Sequence, residues 1–235
     1  MVLRNIASVN ADTIRAAIFD FDGTLLDSLG VWDDIDKRSF AKRGMSVPSI
    51  FADTTAAMNP HQIADYVIEH CGFTDSPETL MQEWSDMAFD AYAHQLPLKK
   101  GAYDYVHYLH ANKVKLLLVT TLSQRLCLPA LTRVGIADCF DFLQCGEDLP
   151  EAGKHSSRIY LDLASQFHIA PNNFAVFEDS HVALRSAQQA GMQTYGVVDD
   201  INAEISEDSP LQKCVSIFSD FAFAPKIFNA NIANS

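Results

Sequence analysis

Asp20 and Asp22 stand two residues apart at the end of the apolar run Ile14 to Phe21, and Gly23 and Thr24 follow them directly. Side chains alternate along an extended backbone, so residues i and i+2 share one side and the two carboxylates lie close together. Burying such a pair among apolar neighbours costs on the order of several kcal/mol per charge unless a cation sits between them. The Gly-Thr step breaks the strand where the acids emerge. A strand that ends in this way is arranged for chemistry with a metal ion. An isolated Asp-x-Asp is more often a solvated turn, so the reading depends on what the rest of the chain brings to the same place.

The elements that would position these residues follow from periodicity. From Pro97 onward, short apolar runs alternate with helical segments. Helices are expected at about 102–112, 122–134, 158–167 and 182–190, and strands at 114–119, 140–144, 174–177 and 194–198. Gly191 closes the last of these helices, where a left-handed C-terminal cap is easy. Strands separated by helices of ten to fifteen residues imply βαβ units and a parallel sheet covered on both faces. Ligands of such sheets bind beyond the carboxyl ends of the strands. Asp20, Asp22, Thr120, Glu178 and Asp179 all fall at those ends.

Residues 30–96 read differently, with several helix signals and no convincing strand. Trp32, Ile35 and Phe40 suggest one apolar helix face closed by Gly44. Asn59-Pro60 and Ser76-Pro77 each pair an N-cap residue with proline at the first helical position. The expected fold class is therefore α/β: a Rossmann-like, doubly wound parallel core built from residues 1–29 and 97–235, with an inserted all-α cap domain at 30–96 acting as a lid.

The set Asp20-x-Asp22-x-Thr24, Thr120, Lys154 and Glu178-Asp179 resembles the four motifs of the haloacid dehalogenase-like superfamily, in that family's order and over nearly the whole chain. The helical insert is similar to the C1-type cap of its phosphatase and β-phosphoglucomutase-like branch. The resemblance implies that Asp20 is the nucleophile, forming an aspartyl-phosphate, and that Asp22 is the general acid and base. It implies Mg²⁺ held by Asp20, the backbone carbonyl of Asp22 and Asp179, with Glu178 coordinating directly or through water. Thr120, with Thr121 beside it, and Gly23 would bind the phosphoryl group, and Lys154 would neutralise its charge. The dehalogenases of the superfamily lack an aspartate at the Asp22 position, so its presence here points to phosphoryl transfer. Two departures concern loop geometry. His155 follows the lysine where many relatives have proline, and Ser180-His181-Val182-Ala183 replaces Ser-Pro-Ala-Gly. Both histidines are read as partly solvated loop residues.

Bulk composition narrows the partners. With 17 basic and 30 acidic residues the net charge is −13, which argues against general binding to nucleic acid or to anionic membrane. Hydrophobic content of 48% with 20% charged residues fits a globular protein with a real core. The five cysteines are scattered and lack CxxC spacing, as expected of reduced thiols in a cytoplasmic protein. No apolar run reaches membrane-spanning length, and no signal peptide is expected.

The cap should set specificity. Between Gly30 and Leu98 four basic residues (Lys37, Arg38, Lys42 and Arg43) face eleven acidic ones. A sugar phosphomutase must hold a second phosphate with cations, and Arg43, just before the Gly44 turn, is the best candidate for touching substrate. The bland alternative for this cluster is a solvated helix face beside Asp33, Asp34 and Asp36. One basic cluster favours hydrolysis of a small phosphate monoester, such as a sugar phosphate, over a β-phosphoglucomutase-like reaction, and the intact catalytic set implied by the resemblance favours it over a non-catalytic metabolite-binding module. The sequence sets no oligomeric state.

Overall fold

The computed structural model describes residues 14–55, 58, 60–150, 153–200 and 205–226. It divides into two compact units, one containing the chain up to Asp27 and from Pro97 onward, the other spanning Ser28–Leu96.

The first unit is built on a six-stranded, all-parallel sheet: β1 (Ala16–Phe19), β2 (Lys115–Val119), β3 (Phe142–Gln144), β4 (Phe174–Glu178), β5 (Gln193–Val197) and β6 (Ser216–Phe218). Their spatial order is β3-β2-β1-β4-β5-β6. Between them run α5 (Ala102–Ala111), α6 (Gln124–Arg133), α7 (Ser157–Gln166) and α8 (His181–Gln189). The chain order reverses at β1, which pairs with both β2 and β4. That reversal opens a crevice at the carboxyl ends of the central strands, and Asp20 leaves the sheet there.

Central-strand residues are buried on both sides, which is why these strands read as continuous apolar runs. Alternation still sorts them by face. Ala16 and Ile18, with Leu117, Val119, Phe174 and Val176, pack against Ile159, Tyr160 and Leu163 of α7 and Ala187 of α8. The other parity carries an aromatic stack. Phe19 lies 4.5 Å from Phe177, which lies 4.8 Å from Tyr195, and Phe19 also meets Tyr105 of α5 edge-on at 6.5 Å. Helices thus cover both faces.

The second unit is helical: α1 (Val31–Lys42), α2 (Phe51–Thr55), α3 (Pro60–Cys71) and α4 (Pro77–His94). Its core gathers Phe40, Phe51, Ala64, Val67, Phe73 and Leu80. At the start of α4 the Ser76 hydroxyl accepts the Thr79 amide hydrogen at 3.3 Å, with Pro77 in the first turn. Asn59 lies outside the described residues, and Pro60 opens α3.

The structure departs from the sequence-based expectation in two places. Trp32 does not join Ile35 and Phe40 on the buried face of α1; it is 50% exposed, and Val31 takes the inward position. Ile35 and Phe40 are five residues apart, and Val31 at i−4 continues their stripe where Trp32 at i−3 falls beside it. The sixth strand, β6, is absent from the expected set. Three residues are too few to establish a period, and only pairing with β5 makes them a strand.

Candidate active site

The candidate residues converge because all but Lys154 end or closely follow a central strand. Asp20 comes directly after β1, Thr120 and Thr121 after β2, and Glu178 and Asp179 end and follow β4. Lys154 belongs to a single 3₁₀ turn, Gly153–His155, just before α7. Asp20, Asp22, Thr121, Lys154, His155, Glu178 and Asp179 line one cleft of about 160 Å³.

Lys154 organises its floor. Its ammonium donates to Asp20 Oδ1 at 2.6 Å and to Glu178 Oε2 at 2.9 Å, and all three residues are buried. The second Glu178 oxygen, Oε1, accepts the Ser180 amide hydrogen at 3.1 Å, at the start of α8. Asp179 Oδ1 accepts from the Thr24 hydroxyl at 3.3 Å. Gly23 has φ of +79°, and a Cβ there would collide with the Asp179 carboxylate. Glycine is thus required twice over, by its backbone conformation and by the approach of that carboxylate.

The charges are finely balanced. Burial pushes the Asp20 carboxyl up to about 6; Lys154 opposes this and Asp179 adds to it. Burial raises Glu178 well above the usual carboxylate range, with Asp20 reinforcing the shift and Lys154 opposing it. Burial works against the Lys154 charge as well, yet Asp20 and Glu178 hold its pKa above the ordinary lysine value. Two buried acids thus share one cation, and the site retains unneutralised negative charge.

That deficit suits a divalent cation. Asp20, Glu178 and Asp179 can each offer one oxygen such that the three lie within 4.8 Å of one another, the sole such cluster among the described residues. Carboxylate oxygens are hard donors of the kind Mg²⁺ selects, so the donor set fits the ion.

Haloacid dehalogenase-like hydrolases match residues 17–197 as a family. The chain belongs to that family. A phosphorylated carbohydrates phosphatase of Thermotoga maritima is 25% identical over 190 residues, 80% of this chain and 88% of the relative. A phosphoglycolate phosphatase of Chromobacterium violaceum is 26% identical over 198 residues, 80% of this chain and 87% of the relative. Among solved structures, a candidate β-phosphoglucomutase from Thermotoga maritima superposes with a TM-score of 0.74 at 23% identity, covering 88% of this chain and 94% of that one. This last likeness establishes the α/β Rossmann-like fold.

The remaining sequence-derived positions are placed as follows. Thr120 is fully buried; its amide donates to Gln144 O at 3.0 Å and its hydroxyl accepts the Leu122 amide hydrogen at 3.1 Å. Thr121 is the exposed threonine of the pair and lines the cleft. His155 also lines it, whereas His181 lines the neighbouring cleft that shares Asp179. Arg43 lies in the helical unit, donating from Nε to Asp75 at 2.8 Å and from Nη1 to Glu83 at 2.9 Å.

Three buried residues of this unit were given no role from the sequence. Thr24 was read as a strand breaker, yet its hydroxyl orients Asp179. Lys99, 6% exposed, is ion-paired to Asp199 beyond β5, and its amide donates to Leu25 O at 2.8 Å, tying the returning chain to the Asp20 loop. Tyr160 is 1% exposed, and its hydroxyl has no hydrogen-bond partner among the described residues. Only Thr24 was visible in the motif itself; Lys99 and Tyr160 carry no local signal.

Proposed function

We propose that this chain is a Mg²⁺-dependent phosphatase acting on a small, sugar phosphate-like metabolite through an aspartyl-phosphate on Asp20, with residues 30–96 as its cap domain. One observation carries the reading: a buried lysine bridges Asp20 and Glu178 inside a cleft that also presents Asp22, Asp179 and Thr121. Phosphatases among the relatives support the reaction class.

Asp20 Oδ1 is fixed by Lys154, which keeps the carboxylate oriented and favours its ionised, nucleophilic form. Attack on phosphorus forms the acyl phosphate and breaks the bond to the leaving oxygen. Asp22 donates a proton to that oxygen and then, as carboxylate, takes one from the water that hydrolyses the acyl phosphate. Thr121, backbone amides around Gly23 and the Lys154 ammonium receive the phosphoryl oxygens. Asp20, Glu178, Asp179 and the Asp22 carbonyl would hold a divalent cation, which would supply positive charge between the carboxylate and the anionic phosphoryl group.

The helical unit supports hydrolysis over mutase chemistry. Three of its four basic residues are already paired within the unit, Lys37 with Asp34, Lys42 with Glu83, and Arg43 with Asp75 and Glu83. Turnover of p-nitrophenyl phosphate and of a sugar phosphate panel tests the proposal. Hydrolysis is expected with Mg²⁺, none with chelator, and none for Asp20→Asn. Metal-independent turnover or an active Asp20→Asn protein would overturn it. Faster interconversion of sugar phosphates than phosphate release would move the assignment to a mutase.

A further inference from the structure

The chain leaves the sheet unit after Asp27 and re-enters it at Pro97, and the two segments are hydrogen-bonded to each other. The Asp27 amide donates to Pro97 O at 2.8 Å, and the Lys99 amide donates to Leu25 O at 2.8 Å. Between those bonds Leu26 and Leu98 form an antiparallel bridge, and Leu26 also forms a parallel bridge with Asp22. The amides of Leu25 and Leu26 both donate to Phe21 O, at 3.0 and 2.8 Å. Asp22 therefore sits in a tight loop backed by the returning segment. Leu25 and Leu26 are fully buried, so the loop is packed as well as hydrogen-bonded.

Lys99 fixes the returning segment. Its side chain is buried, and its ammonium pairs with the exposed Asp199 just beyond β5. Asp199 is a firm anchor, because the Val198 amide before it donates to Phe218 O at 3.0 Å and prolongs the contact of β5 with β6. Lys99 is held on its other side too, where its carbonyl accepts the Ala102 amide hydrogen at 3.0 Å at the start of α5. Gly101 lies between them with φ of +77°, and a Cβ there would fall 2.5 Å from the Ala222 amide nitrogen.

An ion pair that buries a lysine is a poor way to gain stability, since apolar residues of similar volume often serve as well or better. What it can fix is register. Apolar contacts tolerate sliding, whereas one placement of the segment brings the ammonium to the carboxylate. The reaction needs that register, because a proton donor must lie within hydrogen-bond reach of the leaving oxygen. A misplacement of about 1 Å can cost about a hundredfold in rate.

We propose that Lys99 is a positioning residue: its ion pair with Asp199 locks Leu98 and Lys99 against Leu25 and Leu26, and so holds Asp22 where it can protonate the leaving oxygen. The role of Asp22 in this statement rests on the phosphatase reading; the brace does not. Lys99 acts through Asp22 and not on the substrate. The effect is therefore selective. An alkoxide needs a proton as its bond to phosphorus breaks, whereas p-nitrophenolate departs without one. Because kcat/KM reports the steps up to loss of the leaving group, it separates the two kinds of ester.

The test compares full-length wild type, Lys99→Met and Asp199→Asn on p-nitrophenyl phosphate and on the sugar phosphate that wild type hydrolyses fastest. In both variants kcat/KM for the sugar phosphate is expected to fall about a hundredfold, and that for p-nitrophenyl phosphate less than about threefold, since its leaving group needs no acid. Lys100→Met, at the neighbouring exposed lysine, keeps wild-type values for both. Hydrogen exchange read by mass spectrometry follows the brace itself. The peptide covering residues 20–27 exchanges about tenfold faster in both variants, while the β2 and β4 peptides keep their wild-type rates. Equal loss on both esters, or no loss on either, overturns the positioning role. Unchanged exchange at residues 20–27 overturns the brace. If wild type hydrolyses no phosphate ester, it is the functional reading that fails, and the exchange measurement still decides the brace.

Discussion

Both units hold one cation between two acids, and the outcomes are opposite. In the helical unit the Arg43 guanidinium spends its fork on Asp75 and Glu83, donates to Ser39 O at 2.9 Å and rests 4.5 Å above the Phe73 ring. Asp75 is pulled below the usual carboxylate range by its hydrogen bond to Arg43; Glu83 is also lowered, Arg43 and Lys42 outweighing its burial. In the sheet unit Lys154 contacts Asp20 and Glu178, yet burial wins and both acids are raised. The acids of the helical unit keep some solvent, with Asp75 29% exposed, whereas Asp20 and Glu178 keep almost none. Planar, multidentate arginine makes a clamp. A point charge between two desolvated acids makes a site with unmet demand for positive charge, and that demand is what a metal ion and a phosphoryl transfer can use.

Breaking the buried triad should have the largest effect. Lys154→Met leaves two buried acids without their cation and is expected to lower the unfolding free energy of the metal-free protein by about 3 kcal/mol. Turnover should fall about a thousandfold, the scale of losing one electrostatic stabiliser. Chemical denaturation and steady-state kinetics check both, and a stable, active variant would end the contrast with Arg43.

Acidification should act on the two units with opposite sign. The folded Asp20 carboxyl sits at about 6 against an ordinary 3.8, so the native state binds its proton more tightly. Its contribution to stability falls as pH rises from about 4 to 6. Asp75 and Glu83 are depressed, so theirs is complete at neutral pH and is lost as pH falls through the folded values. Melting temperatures of metal-free wild type, Asp20→Asn and Arg43→Ala separate the two slopes, the first read between about pH 4 and 6 and the second below the ordinary values of 3.8 for Asp75 and 4.5 for Glu83. The same sign for both variants would contradict the assignment.

Arg43→Ala itself should cost about 2 kcal/mol, the scale of hydrogen bonds to charged groups, with KM unchanged. A raised KM with unchanged stability would return Arg43 to the substrate role that its position in the sequence suggests. Smallest of all, Asp162→Ala removes the exposed Arg158–Asp162 pair and should cost under about 0.5 kcal/mol.

The Asp20–Thr24 segment and the sheet were legible for one reason: the constraint on them is local. Asp20-Phe21-Asp22-Gly23-Thr24 must end a buried strand, and strands buried on both faces leave unbroken apolar runs that spacing alone can order. β6 was not legible, because a three-residue strand exists only through its neighbour. Trp32 was misjudged because residues three and four positions apart both fit a helical face, and only packing chooses between Val31 and Trp32.

What the amino-acid order determined by itself was the candidate set and its order along the chain, since Asp20, Thr120, Glu178 and Asp179 end or follow strands whose apolar character is written in consecutive residues. What only the tertiary structure decided was the company each side chain keeps. Lys154 is placed between Asp20 and Glu178, and Arg43 is claimed by Asp75 and Glu83. Those pairings join residues far apart in sequence, and their energies depend on burial and distance, neither of which any local run of residues encodes.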